Sequence, residues 1–250
     1  MCLILFGYHT DAQLPLIVAA NRDEFHPRAS AQADFWEDFP HVLAGRDLVA
    51  GGTWLGCTVQ GRFAALTNFS SPTDPPAPKS RGLLVQDFLT GRDSAGDYAE
   101  RIHGPDYAGF NLLLYDTEQM VYASNKGATQ FLQPGFYGLS NAELGAPWPK
   151  CVQGAQDLAQ MTRDQFTHSQ LIARLRNSDI PADDALPVRG RPVEFERRVA
   201  PTFIVGDDYG TRASTALVVT PSAVSFVEQS YAPGGVANGM AEFSVSRQND

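Results

Sequence analysis

The sequence is poor in cysteine and in basic residues, and it has no long uninterrupted apolar run. Its three cysteines, Cys2, Cys57 and Cys151, are widely separated and show no CxxC or CxxCH spacing. This argues against a disulfide framework, structural zinc and covalent haem.

The 19 basic residues are outnumbered by 28 acidic ones, for a net charge of -9, so the broad basic surface that binds nucleic acid is missing. No segment approaches the roughly 20 apolar residues that span a bilayer, and the apolar start has no basic flank typical of a signal peptide. We therefore expect no nucleic-acid partner, no membrane insertion and a cytoplasmic location.

The apolar patterning predicts strands, a helix pair, strands, a second helix pair and a last group of strands. Predicted strands cover residues 2–8, 14–20, 48–50, 54–59, 62–67, 110–115, 120–124, 201–206, 213–220 and 223–229. Predicted helices follow Ser80 and Ser94, begin at Pro149, and follow Ser169. Residues 71–78 are proline-rich and predict a surface loop, and the charged segments 189–191 and 194–198 predict a solvated connector.

This order, with 43% hydrophobic residues and no long Ser/Gly linker, predicts one α+β domain over residues 1–250. Two sheets flanked by two helical layers fit it best. A Rossmann fold would need strands alternating with single helices and a phosphate loop. The glycines at 51–56 have neither GxGxxG nor Lys-Ser/Thr spacing, so we interpret them as a tight turn rather than a phosphate cradle.

Two segments carry the candidate chemistry. We expect Met1 to be removed because Cys2 is small, which would give Cys2 both a thiol and a free α-amine; with a pKa of about 7.7 to 8.0, the amine can serve as a base. The polar segment Asn21-Arg22-Asp23-Glu24 ends the apolar run 14–20. Strand alternation puts Arg22 and Glu24 on one face and the other two residues on the opposite face. One pair should therefore point into a pocket, the alternative being a solvated turn with Arg22 paired to an acid.

With Met1-Cys2-Leu3-Ile4-Leu5-Phe6 and this tetrapeptide, the sequence resembles the NRDE family, which includes eukaryotic transport and Golgi organisation proteins. The matching motifs continue through Gly51-Gly52-Thr53-Trp54-Leu55-Gly56, Thr67-Asn68, Ser80-Arg81-Gly82, Gly109-Phe110-Asn111, Gly138-Leu139-Ser140-Asn141, Pro147-Trp148-Pro149-Lys150 and Tyr209-Gly210-Thr211-Arg212. The resemblance implies an αββα four-layer sandwich of the N-terminal-nucleophile hydrolase type. More distantly, the chain looks like the penicillin and bile-salt amidases.

The resemblance also implies site residues by position. The implied catalytic counterparts are Cys2, Arg22, Asn68, Asn141 and Arg212, with an Asn amide serving an oxyanion and Arg22 lowering the thiol pKa. The amidases carry an aspartate three residues after the arginine, where this chain has Phe25. Either Asp23 takes that role, and we include it among the catalytic candidates, or the pocket is kept without the reaction. The ligand-binding candidates are Asn21, Arg22, Glu24, Trp54 and Arg81.

Two functions follow from the resemblance. The first is haem trafficking, by non-covalent binding and delivery of haem or a similar anionic amphipathic metabolite such as acyl-CoA. Arginines would then pair with propionates or phosphates, no cofactor would be required, and haem would be cargo. The alternative is a Cys2 amidohydrolase or acyl-transfer enzyme acting on a non-peptide amide or thioester. The five histidines show no ligand spacing, so no metal site is predicted.

Overall fold

A computed structural model describes residues 2–69 and 77–247. In chain order the strands are β1 (Cys2–Asp11), β2 (Leu14–Phe25), β3 (Ser30–Phe35), β4 (Val42–Asp47), β5 (Leu55–Thr58), β6 (Phe63–Asn68), β7 (Phe110–Tyr115), β8 (Met120–Ser124), β9 (Gln130–Phe131), β10 (Gly135–Leu139), β11 (Tyr209–Val219), β12 (Ala223–Ala232) and β13 (Val236–Ser246). The α-helices are α1 (Gly82–Thr90), α2 (Ala95–Arg101), α3 (Pro149–Met161), α4 (His168–Arg174) and α5 (Val193–Val199). None of the helices in these ranges is long and apolar enough to cross a membrane.

The strands form two antiparallel sheets. The first has the order β10-β1-β2-β11-β12-β13, and the second runs from β3 to β9 in chain order. β2 lies inside the first sheet, between β1 and β11, and both its faces are covered. This explains its nearly continuous burial and the unbroken apolar run 14–20.

Three apolar clusters separate four layers. Phe6 and Leu16 of the first sheet meet Phe63 and Leu113 of the second in the central cluster. The outer face of the second sheet packs against α1 and α2 through residues such as Leu84, Phe88 and Leu112. The outer face of the first sheet packs against α3 and α4 through residues such as Ile17, Leu158 and Leu171. The predicted αββα sandwich is confirmed.

Several predicted elements are confirmed, and others are wrong for local reasons. β7, β8 and α3 have the predicted bounds. Residues 48–50 form a turn, because Asp47 Oδ1 accepts hydrogen bonds from the backbone N–H groups of Val49 and Ala50. Residues 201–206 are irregular instead of forming a strand. Thr167, not Ser169, caps α4 through a capping box with Gln170, and most of the loop predicted at 71–78 lies outside the described residues.

The charged segment 194–198 is not a solvated connector. It lies within α5, where Glu196 is buried and accepts hydrogen bonds of 3.2 Å from Arg189 Nε. Patterning also missed β3, β4, β9, β10 and β13. The last is a largely exposed strand hydrogen-bonded only to β12 within the described sheet, so it lacks a run of buried residues.

Candidate functional site

A cleft of about 620 Å³ opens at the end of the first sheet where β1 begins and β2 ends. Seven of the predicted site residues line it, namely Cys2, Arg22, Asp23, Glu24, Trp54, Asn68 and Arg81. Arg28, Asp47, Thr53, Leu66 and Lys79 are among the other residues that line it. The first sheet, the start of β5 and the end of β6 therefore meet at one place, although they are far apart in the sequence.

Cys2 and Arg22 are direct neighbours on adjacent strands. The register of β1 and β2 pairs Cys2 with Arg22, and alternation directs both side chains toward the second sheet. The Arg22 guanidinium lies over the Trp54 ring, 4.1 Å from its centroid, and Arg22 is only 7% exposed. Arg22 is therefore a buried, stacked cation beside the thiol, unlike the solvated alternative.

Asn141 touches Cys2 from the loop after β10. The Cys2 backbone N–H donates to Asn141 Oδ1 at 3.0 Å, and Asn141 Nδ2 donates to the Asn68 carbonyl at 2.7 Å. Ser140 Oγ donates to the Cys2 carbonyl at 2.7 Å. The loop thus fixes both backbone polar groups of Cys2, and it joins the two predicted asparagines in one network.

Asn111 holds this loop in place and was not among the predicted site residues. It is fully buried, and its Nδ2 donates to the carbonyls of Ala142 at 2.8 Å and Ser140 at 3.3 Å. Its Oδ1 accepts a hydrogen bond of 2.7 Å from the Tyr122 hydroxyl. An asparagine in the middle of the apolar strand 110–115 was the signal that could have identified it, because buried amides need partners.

Asn21 and Asp23 point to the other face of the first sheet, toward the helices. Asn21 Nδ2 donates to the carbonyls of Leu175 and Thr202 at 2.9 and 2.7 Å, and its Oδ1 accepts from Ser214 Oγ. Asp23 Oδ1 accepts from Thr211 Oγ1 at 2.7 Å. Asn21 is thus a buried link between β2, β11 and the helical layer, and it is not among the residues that line the cleft.

Three further predicted residues lie at or behind the rim of the cleft. Arg212 donates to the carbonyls of Phe25 and Arg28, which fixes the chain after β2 without lining the cleft. Arg81 donates to the Gly109 carbonyl at 3.1 Å. Glu24 Oε1 accepts from the backbone N–H of Phe25 at 2.9 Å.

The predicted tight turn at Gly51 and Gly52 brings two motifs together. Gly52 has φ +73°, and a Cβ there would lie 2.4 Å from the Gly82 carbonyl carbon. The Thr53 backbone N–H donates to the Gly82 carbonyl at 3.2 Å. The turn therefore seats the start of α1 against the segment that carries Trp54, with no room for a side chain.

The electrostatics of Cys2 are set mainly by its enclosure. Burial raises the pKa of the Cys2 thiol, while a hydrogen bond from the Asp23 backbone and the charge of Arg22 lower that pKa in part. The thiol therefore needs a base to become a strong nucleophile.

A second cavity lies on the far face of the first sheet. It has a volume of about 210 Å³, and Leu5, Leu158 and Leu171 are among the residues that line it. Cys2 and Arg22 do not line it. It belongs to the helical layer, and we place the candidate chemistry in the larger cleft.

Comparison with known proteins places this geometry in a family. A family model described as Transport and Golgi organisation 2 matches residues 1–233. The Transport and Golgi organization protein 2 homolog of Bos taurus is 36% identical over 259 residues, covering 92% of this chain and 93% of that protein. The Homo sapiens homolog is 33% identical over 257 residues, with the same shares covered.

A solved structure with a similar fold is that of the Caenorhabditis elegans N-acylethanolamine-hydrolyzing acid amidase ortholog. Its TM-score is 0.53 at 12% identity, and the match covers 87% of this chain and 92% of that chain. At this identity the likeness concerns the fold, which is that of the N-terminal-nucleophile hydrolases. The family model and the homologues show that the chain belongs to the Transport and Golgi organisation 2 family.

Proposed function

We propose that the cleft is an N-terminal-nucleophile site in which Cys2 attacks an acyl amide or acyl thioester. The observation that carries this proposal is the 3.0 Å hydrogen bond from the Cys2 nitrogen to Asn141 Oδ1. Once Met1 is removed, this nitrogen becomes an α-amine held beside its own thiol. An amine in that position can accept the thiol proton near neutral pH.

The proposed reaction needs no group beyond the substrate and water. The thiol proton passes to the α-amine while Sγ attacks the carbonyl carbon, giving a tetrahedral intermediate. Its collapse breaks the bond to the leaving amine or thiol, which takes the proton from the ammonium. Water then hydrolyses the acyl-Cys2 thioester and releases the carboxylic acid. A neighbouring amide such as Asn68 would stabilise the oxyanion.

The cleft chemistry supports an acyl substrate with an anionic part. Its lining includes four basic residues, Arg22, Arg28, Lys79 and Arg81, and two acidic residues besides Asp23, whose carboxylate points to the other face of the sheet, namely Glu24 and Asp47, whereas the whole chain carries -9. The cleft is therefore locally more basic than the protein. The structurally similar amidase is named for hydrolysing N-acylethanolamines, which supports an acyl amide as one substrate class.

The same cleft supports a second proposal, in which it carries haem or acyl-CoA without reaction. Arg22 and its basic neighbours would pair with propionates or phosphates, and the Cys2 thiolate could ligate haem iron. This role does not require removal of Met1, which distinguishes it from the enzymatic role.

One set of experiments tests both roles. Intact mass establishes whether the purified protein starts at Cys2, and N-palmitoylethanolamine and palmitoyl-CoA are then tested for release of palmitic acid. We expect release by the wild type, none by Cys2→Ala and unchanged release by the control Cys57→Ala, whose thiol lies in the central cluster. An acyl adduct on Cys2 in quenched samples would identify the nucleophile.

Other results would decide against the enzymatic role. Retention of Met1, or release that persists in Cys2→Ala, would refute the enzymatic role. Saturable haem or acyl-CoA binding that needs Arg22, in a protein that releases no acid, would favour the carrier.

A further inference from the structure

The second cavity, on the far face of the first sheet, is larger than an ordinary packing void. Its volume of about 210 Å³ exceeds the roughly 150 Å³ at which an apolar cavity in a protein stays dry and takes up benzene. Protein interiors otherwise contain few voids larger than a water molecule, and an unfilled cavity lowers stability in proportion to its volume. Neither proposed role uses this space, which we call the helical-layer cavity.

The walls of the helical-layer cavity are mainly apolar. They come in large part from β1, β2, α3 and α4, and six of the apolar residues are Leu5, Ala19, Leu158, Met161, Leu171 and Leu175. Scaled from benzene in about 150 Å³, the space accommodates about eight non-hydrogen atoms. The walls therefore suit a small, largely aliphatic molecule.

A charged side chain is buried in this wall. Lys150, in the first turn of α3, lines the cavity and is only 7% exposed. Its Nζ donates to the carbonyls of Val199 at 3.0 Å and Pro201 at 3.4 Å. Ala200 and Thr202, which are next to those carbonyls in the chain, also line the cavity. The ammonium is therefore held at the cavity wall.

The Lys150 ammonium has capacity for a further partner. It carries three N–H donors, and the two carbonyls account for two of them. No ion pair joins it to a carboxylate within residues 2–69 and 77–247. Burial lowers the pKa of Lys150, and attraction to Asp23 offsets this only in part. Because lysine is almost never fully buried without a counter-charge, an anion in the cavity would supply the charge that the ammonium lacks.

The other charged residues that line the cavity are Asp157, Arg174 and Asp179. Asp157 of α3 and Arg174 of α4 are ion-paired with each other, and Asp179 is exposed. Their charges are neutralised or solvated, whereas that of Lys150 is buried. We propose that the helical-layer cavity binds a small aliphatic carboxylic acid, with its chain among the leucines and its carboxylate on the Lys150 ammonium.

Hexanoate is of this size, and it tests the inference in the intact protein independently of both proposed roles. Methyl ¹³C NMR of leucine-labelled protein follows Leu158 and Leu171, which line the helical-layer cavity, and Leu66, which lines the Cys2 cleft. We expect saturable shifts at Leu158 and Leu171, with a Kd of about 0.1 to 1 mM, and none at Leu66. Hexan-1-ol should bind about tenfold more weakly or worse, because it is uncharged and leaves the ammonium without a counter-charge.

Two variants locate the binding site. Lys150→Met keeps an apolar stem of similar length but removes the charge, so it should weaken hexanoate binding about tenfold or more and leave hexan-1-ol binding unchanged. Ala19→Leu adds carbon atoms to the part of the wall that β2 contributes, so it should abolish binding of both probes. The control Lys126→Met, at an exposed lysine, should bind hexanoate as the wild type does.

Equal affinities of the wild type for hexanoate and hexan-1-ol would overturn the inference, and this comparison does not depend on the folding of any variant. An absence of shifts at Leu158 and Leu171, or shifts confined to Leu66, would also overturn it. So would a hexanoate affinity that is unchanged in Lys150→Met.

Discussion

The guanidinium of Arg22 lies 4.1 Å from the centroid of the Trp54 ring, which holds it on the wall of the cleft beside Cys2. This contact joins the end of β2, which carries the Asn-Arg-Asp-Glu tetrapeptide, to the Gly-Gly-Thr-Trp segment just before β5. It makes the signature arginine a fixed cation instead of a mobile surface charge, because a stacked guanidinium has little rotational freedom.

Arg22→Ala should weaken binding of palmitoyl-CoA or haem by about 1.5 to 3 kcal/mol, the usual contribution of a hydrogen bond to a charged group. Arg22→Lys should recover only part of this, because an ammonium does not reproduce a planar, stacked guanidinium. Titration of the ligand and thermal melting are measured on the same samples.

The control for Arg22 is Arg46, which is stacked over Trp36 at 4.3 Å and paired with Asp38 on the surface. Arg46→Ala removes a similar stacked pair outside the cleft, and it should leave ligand affinity unchanged. An Arg22→Ala protein with a lower melting temperature and wild-type affinity would show that Arg22 is only a structural residue.

The three thiols should differ in reactivity. Burial raises the pKa of all three thiols, but Cys2 is partly exposed and Arg22 opposes the rise there, whereas the pKa of Cys151 rises to about 11 and that of the fully buried Cys57 rises further. Brief alkylation with iodoacetamide at pH 8, followed by peptide mapping, should label Cys2 first and Cys57 last, because the thiolate is the reacting form. Earlier labelling of Cys151 would argue against placing the reactive thiol in the cleft.

Much of the first sheet's contribution to the site could be predicted from the sequence. Alternation along β2 correctly separates Arg22 from Asn21 and Asp23, because the side-chain period of a strand is a local property. Alternation does not say which face borders the cleft. That depends on the packing of α3 and α4. The assignment of Asn21 to ligand binding stays a prediction, and in the structure its side-chain amide donates to the carbonyls of Leu175 and Thr202.

Residues that act across long sequence separations could not be found by patterning. Asn111 and Glu228 look like isolated polar residues in the sequence, and their partners become visible only when the layers meet. Arg212 illustrates a different limit. The register of β2 and β11 shifts between Thr211 and Ala213, and such a bulge re-aims a side chain, which is consistent with Arg212 contacting the backbone after β2.

Glu228 should make stability depend on pH. It is 2% exposed, and its Oε1 accepts from the backbone N–H of Ala33 at 2.8 Å. Burial raises its pKa from 4.5 to about 6, partly offset by that hydrogen bond, by Arg22 and by Thr215. The folded state therefore holds this proton more tightly than the unfolded state. The stabilisation is complete below about pH 4.5 and is lost as pH rises through about 6, a change of about 2 kcal/mol.

Glu228→Gln should remove this pH dependence, because the amide oxygen can still accept from Ala33 but no proton is exchanged. Urea unfolding at several pH values between 4 and 7.5 should give a curve for the variant that is flatter by about 2 kcal/mol over that window. Parallel curves for wild type and variant would mean that Glu228 titrates at its ordinary pKa.

The turn before Trp54 offers a test that separates backbone conformation from close packing. Gly51 and Gly52 have nearly the same φ, +72° and +73°, but a Cβ at Gly51 would meet nothing within 4 Å, whereas one at Gly52 would lie 2.4 Å from the Gly82 backbone. Gly51→Ala should therefore cost about 1 kcal/mol, for the left-handed conformation alone. Gly52→Ala should cost about 1 to 3 kcal/mol more, because α1 must move away from the turn.

Urea unfolding of both variants measures the difference, and the alkylation rate of Cys2 in each reports whether the cleft wall has moved. We expect the alkylation rate to change in Gly52→Ala only, because a methyl group added at Gly51 would contact nothing within 4 Å. Equal destabilisation by the two substitutions would mean that α1 moves away from the turn with no loss of free energy of unfolding. Trp54 would then be held in place by Arg22 rather than by the glycine turn.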